Sequence, residues 1–494
     1  MTMFLAVKKF FFENAGIRQT IIKNTFWLTL AETISLFLRL ILIIYAARIL
    51  GVAEYGKFTF AFALVSFFVI FSDLGISSLV TRELSQSQEN EKEFPAIISL
   101  KIGLGALALI SAIVVSFLVT QDLAIRRIIW VLAFFVVFDS FAELFYAFLR
   151  ARQKMEYEAI VKIAYSLFFA AIGFFVILKI PSARNLGISY SLTSFLALAG
   201  LLVFFHFTVA RLRFGFDKNI WKKFLILSWP LALSGIFSTV YSQIDSVMMG
   251  YWGYIVQTGW YNAAYRIIGA ALIPGIVVAT SLTPVLNIAY KESKEKLSKI
   301  YKNFMEVMFF LSVPILVGGI VLAPKIINWV YNESYLPATF ALQILLAIVF
   351  VTYLLYPLGA ILLVFNFQKN AFWITVAGGV INIFLNLLLI PKFDLYGAAL
   401  ATLITYIILL ALMFVFVDRC VHIRWLDLKG LVALGGIVLA GAIMYFILSL
   451  PIIYNLHVVF SALVGAGVYL FGFFIYKGLS SAILLKAQKY GKQS

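Results

Sequence analysis

Four basic residues lie inside stretches that are apolar enough to cross a lipid bilayer: Arg39, Lys101, Lys162 and Arg266. A guanidinium at the centre of such a stretch costs roughly 2.5–3.5 kcal/mol on insertion scales, so a helix that keeps one usually turns it towards a water-filled interior. Arg39 lies eight residues, roughly 12 Å at helical rise, before the end of its stretch. Arg266 lies about seven residues into its own stretch. We expect both arginines to line a polar cleft, where they would bind an anion.

Lys101 and Lys162 lie within about two turns of the ends of their stretches. They are further candidates for binding an anion, but their long side chains are equally suited to reach lipid phosphates at the membrane surface.

Three acidic residues in the apolar stretches are candidates for cation binding. Asp139 and Glu143 are one helical turn apart near mid-membrane, and two adjacent carboxylates in a low dielectric can carry a proton or accept Na⁺. The alternative is a static ion pair with a nearby Lys or Arg. Asp245 lies at a depth close to that of Arg266, so it is either an ion-coupling residue or the neutralising partner of that arginine.

Apolar stretches of about 20 residues recur along the whole chain, which has 494 residues, 63% of them hydrophobic and 12% charged, with mean hydropathy +1.02. Each stretch is long enough to cross a hydrocarbon layer roughly 30 Å thick, and backbone groups in lipid need internal partners, so all are expected to be helices. The sequence predicts an all-α polytopic membrane protein with about 14 spans. Their expected bounds are 24–47, 57–80, 96–119, 126–149, 159–179, 186–208, 224–247, 259–286, 304–324, 338–364, 371–390, 395–417, 428–449 and 456–476.

The net charge of +17 reflects membrane topology. Placing the N-terminus in the cytoplasm puts most of the 39 Lys and Arg residues in cytoplasmic segments, as the positive-inside rule requires. This distribution predicts a multi-pass protein of the cell membrane with both termini cytoplasmic, in contact with anionic lipids and not with nucleic acid.

Three pairs of segments suggest an internal duplication. "YGKFTFAF" (55–62) resembles "TGWYNAAY" (258–265), "RQKM" (152–155) resembles "FQKN" (367–370), and "KIPSARNLG" (179–187) resembles "LIPKFDLYG" (389–397), in the same order and at similar spacing. Six spans per copy give two parallel six-helix bundles around a central cleft, an arrangement known from some transporters. A duplicated channel or a non-transporting scaffold is the alternative. The expected divisions are a cytoplasmic amphipathic segment (1–23), an N-terminal bundle (24–208), a cytoplasmic linker (209–223), a C-terminal bundle (224–417), helices 13 and 14 (428–476) and a cytoplasmic tail (477–494).

Catalytic residues, a metal site and cofactors are not expected. The single cysteine, Cys420, and three scattered histidines offer no metal cluster. "GVAEYGK" (51–57) matches the core of a phosphate-binding loop, but Phe58 follows where Ser or Thr is needed, so a tight turn is the simpler interpretation. Within the spans, Asp73, Pro230 and Pro274 are expected to mark helix breaks or kinks.

Three longer segments resemble a known family. "RILGVAEYGKFTFAFALVSFFVIFSDLGISSLVTRELS" (48–85), "YSQIDSVMMG" (241–250) and "LNLLLIPKFDLYGAALATLITY" (385–406) are similar to segments of Wzx-type polysaccharide transporters. These belong to the multidrug/oligosaccharidyl-lipid/polysaccharide exporter superfamily, and the resemblance runs from about residue 20 to 480.

The resemblance implies a flippase that moves a polyprenyl-diphosphate-linked oligosaccharide from the cytoplasmic to the outer leaflet, by alternating access and without an ATPase of its own. Arg39, Arg266, Lys101 and Lys162 would then bind the diphosphate, H⁺ or Na⁺ coupling is possible, and a polysaccharide polymerase or glycosyltransferases are potential partners. Two alternatives stay open: an ion-coupled multidrug exporter of the same superfamily, and an integral-membrane polysaccharide polymerase or ligase.

Overall fold

All regular elements in the described part of this computed structural model are helical, which confirms the all-α prediction. The structure describes residues 12–14, 16–209, 211–421 and 428–490. The predicted N-terminal amphipathic segment (1–23) and the predicted tail (477–494) therefore lie partly outside the described residues.

Fourteen α-helices follow one another along the described chain. They are α1 Ile17–Asp73, α2 Ile76–Gln86, α3 Phe94–Val119, α4 Leu123–Ala151, α5 Met155–Lys179, α6 Ala183–Phe204, α7 Lys218–Tyr251, α8 Ile255–Glu292, α9 Lys294–Val330, α10 Ala338–Val364, α11 Gln368–Val421, α12 Leu428–Ser449, α13 Pro451–Tyr454 and α14 Val458–Tyr490. Short 3₁₀ helices occupy Gln88–Glu93 and Glu333–Tyr335, and a π-helical turn, Phe205–Val209, continues α6.

The predicted number of membrane crossings agrees with the helix lengths. Within the described residues, 12 helical segments are long and apolar enough to span a membrane, and two of them have a non-helical residue inside a segment of 54 residues or more. Gly51 interrupts α1 with φ +74°, and Asp394 interrupts α11 with φ +44°. Counting each interrupted segment as two crossings gives about 14 spans.

Contacts divide the chain into two compact units, Met1–Gly259 and Trp260–Ser494. In the first unit, α1 packs on α4, α5 and α7, and a buried apolar cluster joins α2, α3, α4, α6 and the start of α7. In the second unit, α9 packs on α10, α12 and α14, and Val313, Met444 and Tyr469 belong to its core.

The chain changes direction at Leu74 and Gly75, both in the left-handed region with φ +49° and +77°. Asp73, the last residue of α1, accepts a hydrogen bond from the Ser77 hydroxyl at 2.5 Å and forms an ion pair with Lys101 of α3. Because Lys101 is fully buried, this ion pair fastens α3 to the break between α1 and α2.

Two glycines that the predicted duplication aligns with each other are in contact in the first unit. A Cβ atom on Gly56 would lie 2.0 Å from the carbonyl oxygen of Ile255, and one on Gly259 would lie 2.5 Å from that of Val52. Real Cβ atoms do not approach so closely, so the two helix backbones can meet here only because both residues are glycine.

Candidate functional site

A polar pocket of about 160 Å³ lies within the first unit. This volume accommodates on the order of ten water molecules. Its walls come from α1, α4, α5 and α6, in an otherwise apolar bundle. The lining residues are Glu32, Ser35, Arg39, Asp139, Ala142, Glu143, Tyr146, Lys162, Tyr165, Ser194 and Ala197.

Helical periodicity brings the polar side chains of each helix to the pocket. On α4, Asp139, Glu143 and Tyr146 follow one another at spacings of four and three residues, which keeps them on one face. Lys162 and Tyr165 of α5 are three residues apart, for the same reason. The sequence thus concentrates its intramembrane charges on faces that meet at one place.

Close contacts between α1 and α5 fix the register of the pocket walls. The Ser166 hydroxyl donates a hydrogen bond of 2.6 Å to the Ser35 hydroxyl, and both side chains are buried. Farther along, a Cβ atom on Gly173 would lie 2.5 Å from Leu42, so glycine allows the two helices to approach. Small and hydroxyl-bearing residues at a helix interface act in this way in membranes.

Five charged residues form an alternating series that we call the ion-pair chain. Glu32 contacts Lys162 at 2.6 Å, and Lys162 contacts Glu158 at 3.0 Å. Glu158 receives two hydrogen bonds from Arg150, at 2.7 and 2.9 Å, and Arg150 also donates to Glu143 at 2.7 Å. Glu158 is fully buried, whereas Glu32 at one end is 63% exposed.

The ion-pair chain leaves two oppositely charged pocket residues outside it. Arg39 and Asp139 both line the pocket and have exposed side chains. Among the residues that the structure describes, neither side chain forms an ion pair or a hydrogen bond. Arg39 is therefore available to an anion and Asp139 to a cation. The pocket is lined by three carboxylates and two cations, so its lining has a formal net charge of −1.

The other candidate residues lie elsewhere. Lys101 is held by Asp73 and does not line the pocket. Asp245 is buried on α7 of the first unit, and Arg266 is half-buried on α8 in the second unit. Their roles, and the pairing of Asp245 with Arg266, stay predictions. Pro230 and Pro274 lie inside α7 and α8.

Two central members of the ion-pair chain, Arg150 and Glu158, were missed by sequence reasoning. Both lie one residue outside the predicted spans 126–149 and 159–179, where charges are expected to contact water. The available signal was the spacing of Glu158 and Lys162, which at i and i+4 share one helix face.

A long all-helical membrane bundle that encloses a charged pocket has the architecture of a multi-span transporter. The chain superposes on the lipid II flippase MurJ in its inward closed conformation with a TM-score of 0.72, at 16% identity, covering 92% of this chain and 99% of that one. It also superposes on an inward-facing multidrug resistance MATE family transporter with a TM-score of 0.62, at 14% identity, covering 78% and 96%.

The family model described as polysaccharide biosynthesis protein matches residues 21–289, more than half of the chain. The chain belongs to this family, which confirms the resemblance drawn from its motifs. A Haloferax volcanii protein named probable low-salt glycan biosynthesis flippase Agl15 is 23% identical over 409 residues, 82% of this chain and 85% of the relative. An uncharacterized membrane protein in the cps region of Klebsiella pneumoniae is 22% identical over 376 residues, 72% and 75% of the two chains.

Proposed function

We propose that this protein is a flippase that moves a polyprenyl-diphosphate-linked oligosaccharide from the cytoplasmic to the outer leaflet, for surface polysaccharide or glycan assembly. The family, a relative named as a glycan biosynthesis flippase and the MurJ-like fold support a transporter of lipid-linked glycans rather than an enzyme. The observation that carries the site assignment is Arg39, a guanidinium in a membrane pocket without an internal ion-pair partner among the described residues.

Arg39 is the primary diphosphate contact in this proposal. A guanidinium stays charged and offers a fork of N–H donors that matches two phosphate oxygens, and such charge-assisted bonds are strong where water is scarce. Lys162 is a secondary contact because it already contacts Glu32 and Glu158. Arg266 on α8 stays a predicted diphosphate-binding residue. Lys101, buried against Asp73, has a structural role.

Asp139 is the proposed coupling residue. Glu143 receives a hydrogen bond from Arg150, whereas Asp139 has no partner of that kind among the described residues and can take up H⁺ or Na⁺ from the pocket. Alternating access would expose the pocket to one side of the membrane at a time. The protein would work in the cell membrane with both termini cytoplasmic, next to the glycosyltransferases or polymerase that make and use the glycan.

Arg39→Ala tests the proposal. The purified protein is reconstituted in vesicles with a short-chain polyprenyl-diphosphate glycan, and outward movement is measured by accessibility of the sugar to an added glycosidase. Loss of a charge-assisted contact is worth about 1.5–3 kcal/mol, so we expect transport to fall roughly 10- to 100-fold. Arg18→Ala, an exposed arginine at the start of α1, is the matched control. Full activity of a folded Arg39→Ala protein would refute the assignment.

A multidrug exporter is the second candidate, and one observation favours it. Carboxylates outnumber cations in the pocket by three to two, and organic cations prefer a negative site. Vesicles loaded with an organic cation decide between the candidates: uptake that Asp139→Asn abolishes, without any glycan movement, would favour the exporter.

A further inference from the structure

The hydroxyl group of Tyr353 lies within the hydrogen-bond ladder of another helix. Tyr353 is a fully buried residue of α10. Its hydroxyl accepts a hydrogen bond of 3.0 Å from the backbone N–H of Gly275 and donates one of 2.8 Å to the carbonyl of Ala271, both in α8. These two backbone groups are four residues apart, so in a regular α-helix they pair directly with each other. The Tyr353 hydroxyl therefore bonds to both the donor and the acceptor of one i to i+4 backbone pair of α8, and we call this pair the bridged rung.

The bridged rung lies next to a residue that weakens the helix. Pro274 has no backbone N–H and cannot complete the rung before it. Two consecutive backbone pairs of α8 thus depart from the regular pattern: Pro274 has no N–H to donate, and both groups of the next pair bond to a side chain. Sharp bends in helices arise at these two kinds of defect. Helix α8 continues to Glu292 and contains a second proline, Pro284, so a bend at Gly275 would change the direction of the part of the helix that follows it.

The fit at this point requires glycine. A Cβ atom on Gly275 would lie 2.8 Å from the ζ carbon of Tyr353 and 3.0 Å from the ring of Tyr356. Any larger residue would displace the Tyr353 ring and withdraw its hydroxyl from the rung. The position of the Tyr353 hydroxyl therefore depends on glycine at position 275.

We propose that Ala271–Gly275 is a hinge of α8 and that Tyr353 is the residue that sets its angle. In one state the Tyr353 hydroxyl bridges the rung, as in this structure. In the other state the hydroxyl withdraws and the N–H of Gly275 bonds directly to the carbonyl of Ala271. Both states satisfy the two backbone groups, whereas the Tyr353 hydroxyl loses both of its hydrogen bonds in the second state. The two states are discrete arrangements, and the hydroxyl favours the bridged one. The participation of this hinge in transport rests on the proposed function.

Distance measurements between spin labels test the hinge directly. In a Cys420→Ser background, single cysteines replace Asn287, beyond the hinge, and Leu336, just before α10; both positions are exposed. Tyr353→Phe removes the bridging hydroxyl and keeps the ring, and it is expected to shift the interspin distance distribution towards a second population. Tyr356→Phe removes a neighbouring hydroxyl and is expected to leave the distribution unchanged.

The same variants are assayed for glycan movement. Tyr353→Phe is expected to lower the transport rate about fivefold, the shift in an equilibrium that one net hydrogen bond produces, with headgroup affinity unchanged. Gly275→Ala, which displaces Tyr353, is expected to reproduce the distance shift if Tyr353→Phe folds poorly. Unchanged distances in both folded variants would overturn the hinge. A distance shift without any glycan transport by the parent protein would instead overturn the proposed function and leave the hinge standing.

Discussion

The ion-pair chain permits a quantitative prediction that does not depend on the transported substrate. Glu158 is fully buried between two cations, Arg150 and Lys162, whose side chains are only 24% and 20% exposed. Removing a buried partner from such a group leaves uncompensated charge and costs about 3–5 kcal/mol. Each cation keeps one further carboxylate, Glu143 or Glu32, so we expect Glu158→Ala to lower the free energy of unfolding by about 3 kcal/mol, the lower end of that range.

Matched variants separate burial from charge. Glu32→Ala removes a carboxylate from the same chain, but that side chain is 63% exposed, and exposed ion pairs are worth about 0–1 kcal/mol. Glu158→Gln keeps the size and some hydrogen bonds of Glu158 and should be intermediate. The double variant Glu158→Ala with Lys162→Met should cost less than the sum of its parts, because the two residues are in contact.

Equilibrium unfolding in mixed micelles, followed by tryptophan fluorescence, measures these free energies. The reasoning fails if Glu158→Ala and Glu32→Ala destabilise the protein equally. It also fails if Glu158→Ala has no effect on the free energy of unfolding, since that result would mean that water or lipid headgroups neutralise the two cations as well as Glu158 does.

Two further predictions concern the pocket and the helix contact in the first unit. Asp139→Asn removes one negative charge from the pocket that Arg39 also lines. Two like charges in one site at an effective dielectric constant of about 20 repel by about 1–4 kcal/mol, so calorimetry should show at least roughly fivefold tighter binding of a soluble diphosphate sugar. The binding should also depend less on pH. Gly56→Ala places a methyl group against the Ile255 carbonyl and should lower the free energy of unfolding by about 1–3 kcal/mol, whereas Gly200→Ala, with open space around its Cβ position, should leave it unchanged in the same unfolding assay.

Hydropathy predicted the fold because apolar stretches of about 20 residues cross lipid as helices, which pair their own backbone groups. It could not predict helix ends outside the lipid, where the backbone can bond to water instead. The predicted spans 259–286 and 304–324 left the residues between them outside the membrane helices, yet α8 continues to Glu292 and α9 begins at Lys294. The signal present was Ser293, whose hydroxyl accepts a hydrogen bond from the N–H of Lys296 as a helix cap does.

The sequence predicted which charged residues lie inside the spans, but not that several of them line one pocket. A single sequence shows which charges lie inside spans, and this marked Arg39, Asp139, Glu143 and Lys162. All four residues line one pocket because each helix is rotated so that they face it. Contacts between helices, such as that of Ser35 with Ser166, determine this rotation. The sequence separated the lysines from the arginines by depth, but it could not show that Lys162 lines the pocket and forms ion pairs there with Glu32 and Glu158.

The shared pocket constrains the driving force of the proposed transport. A diphosphate on Arg39 repels an ionised Asp139 and attracts a cation to it, so anion and cation would bind cooperatively and travel together. Cooperative binding favours movement of both in the same direction, and an inward cation gradient would then oppose the export of the glycan lipid. The membrane potential has the opposite effect, because an interior-negative potential moves an anion outward with about 2.3 kcal/mol per charge per 100 mV. In the proposed function, the potential acting on the diphosphate itself would therefore drive the outward step, and a cation bound at Asp139 would reduce the net charge that the potential moves.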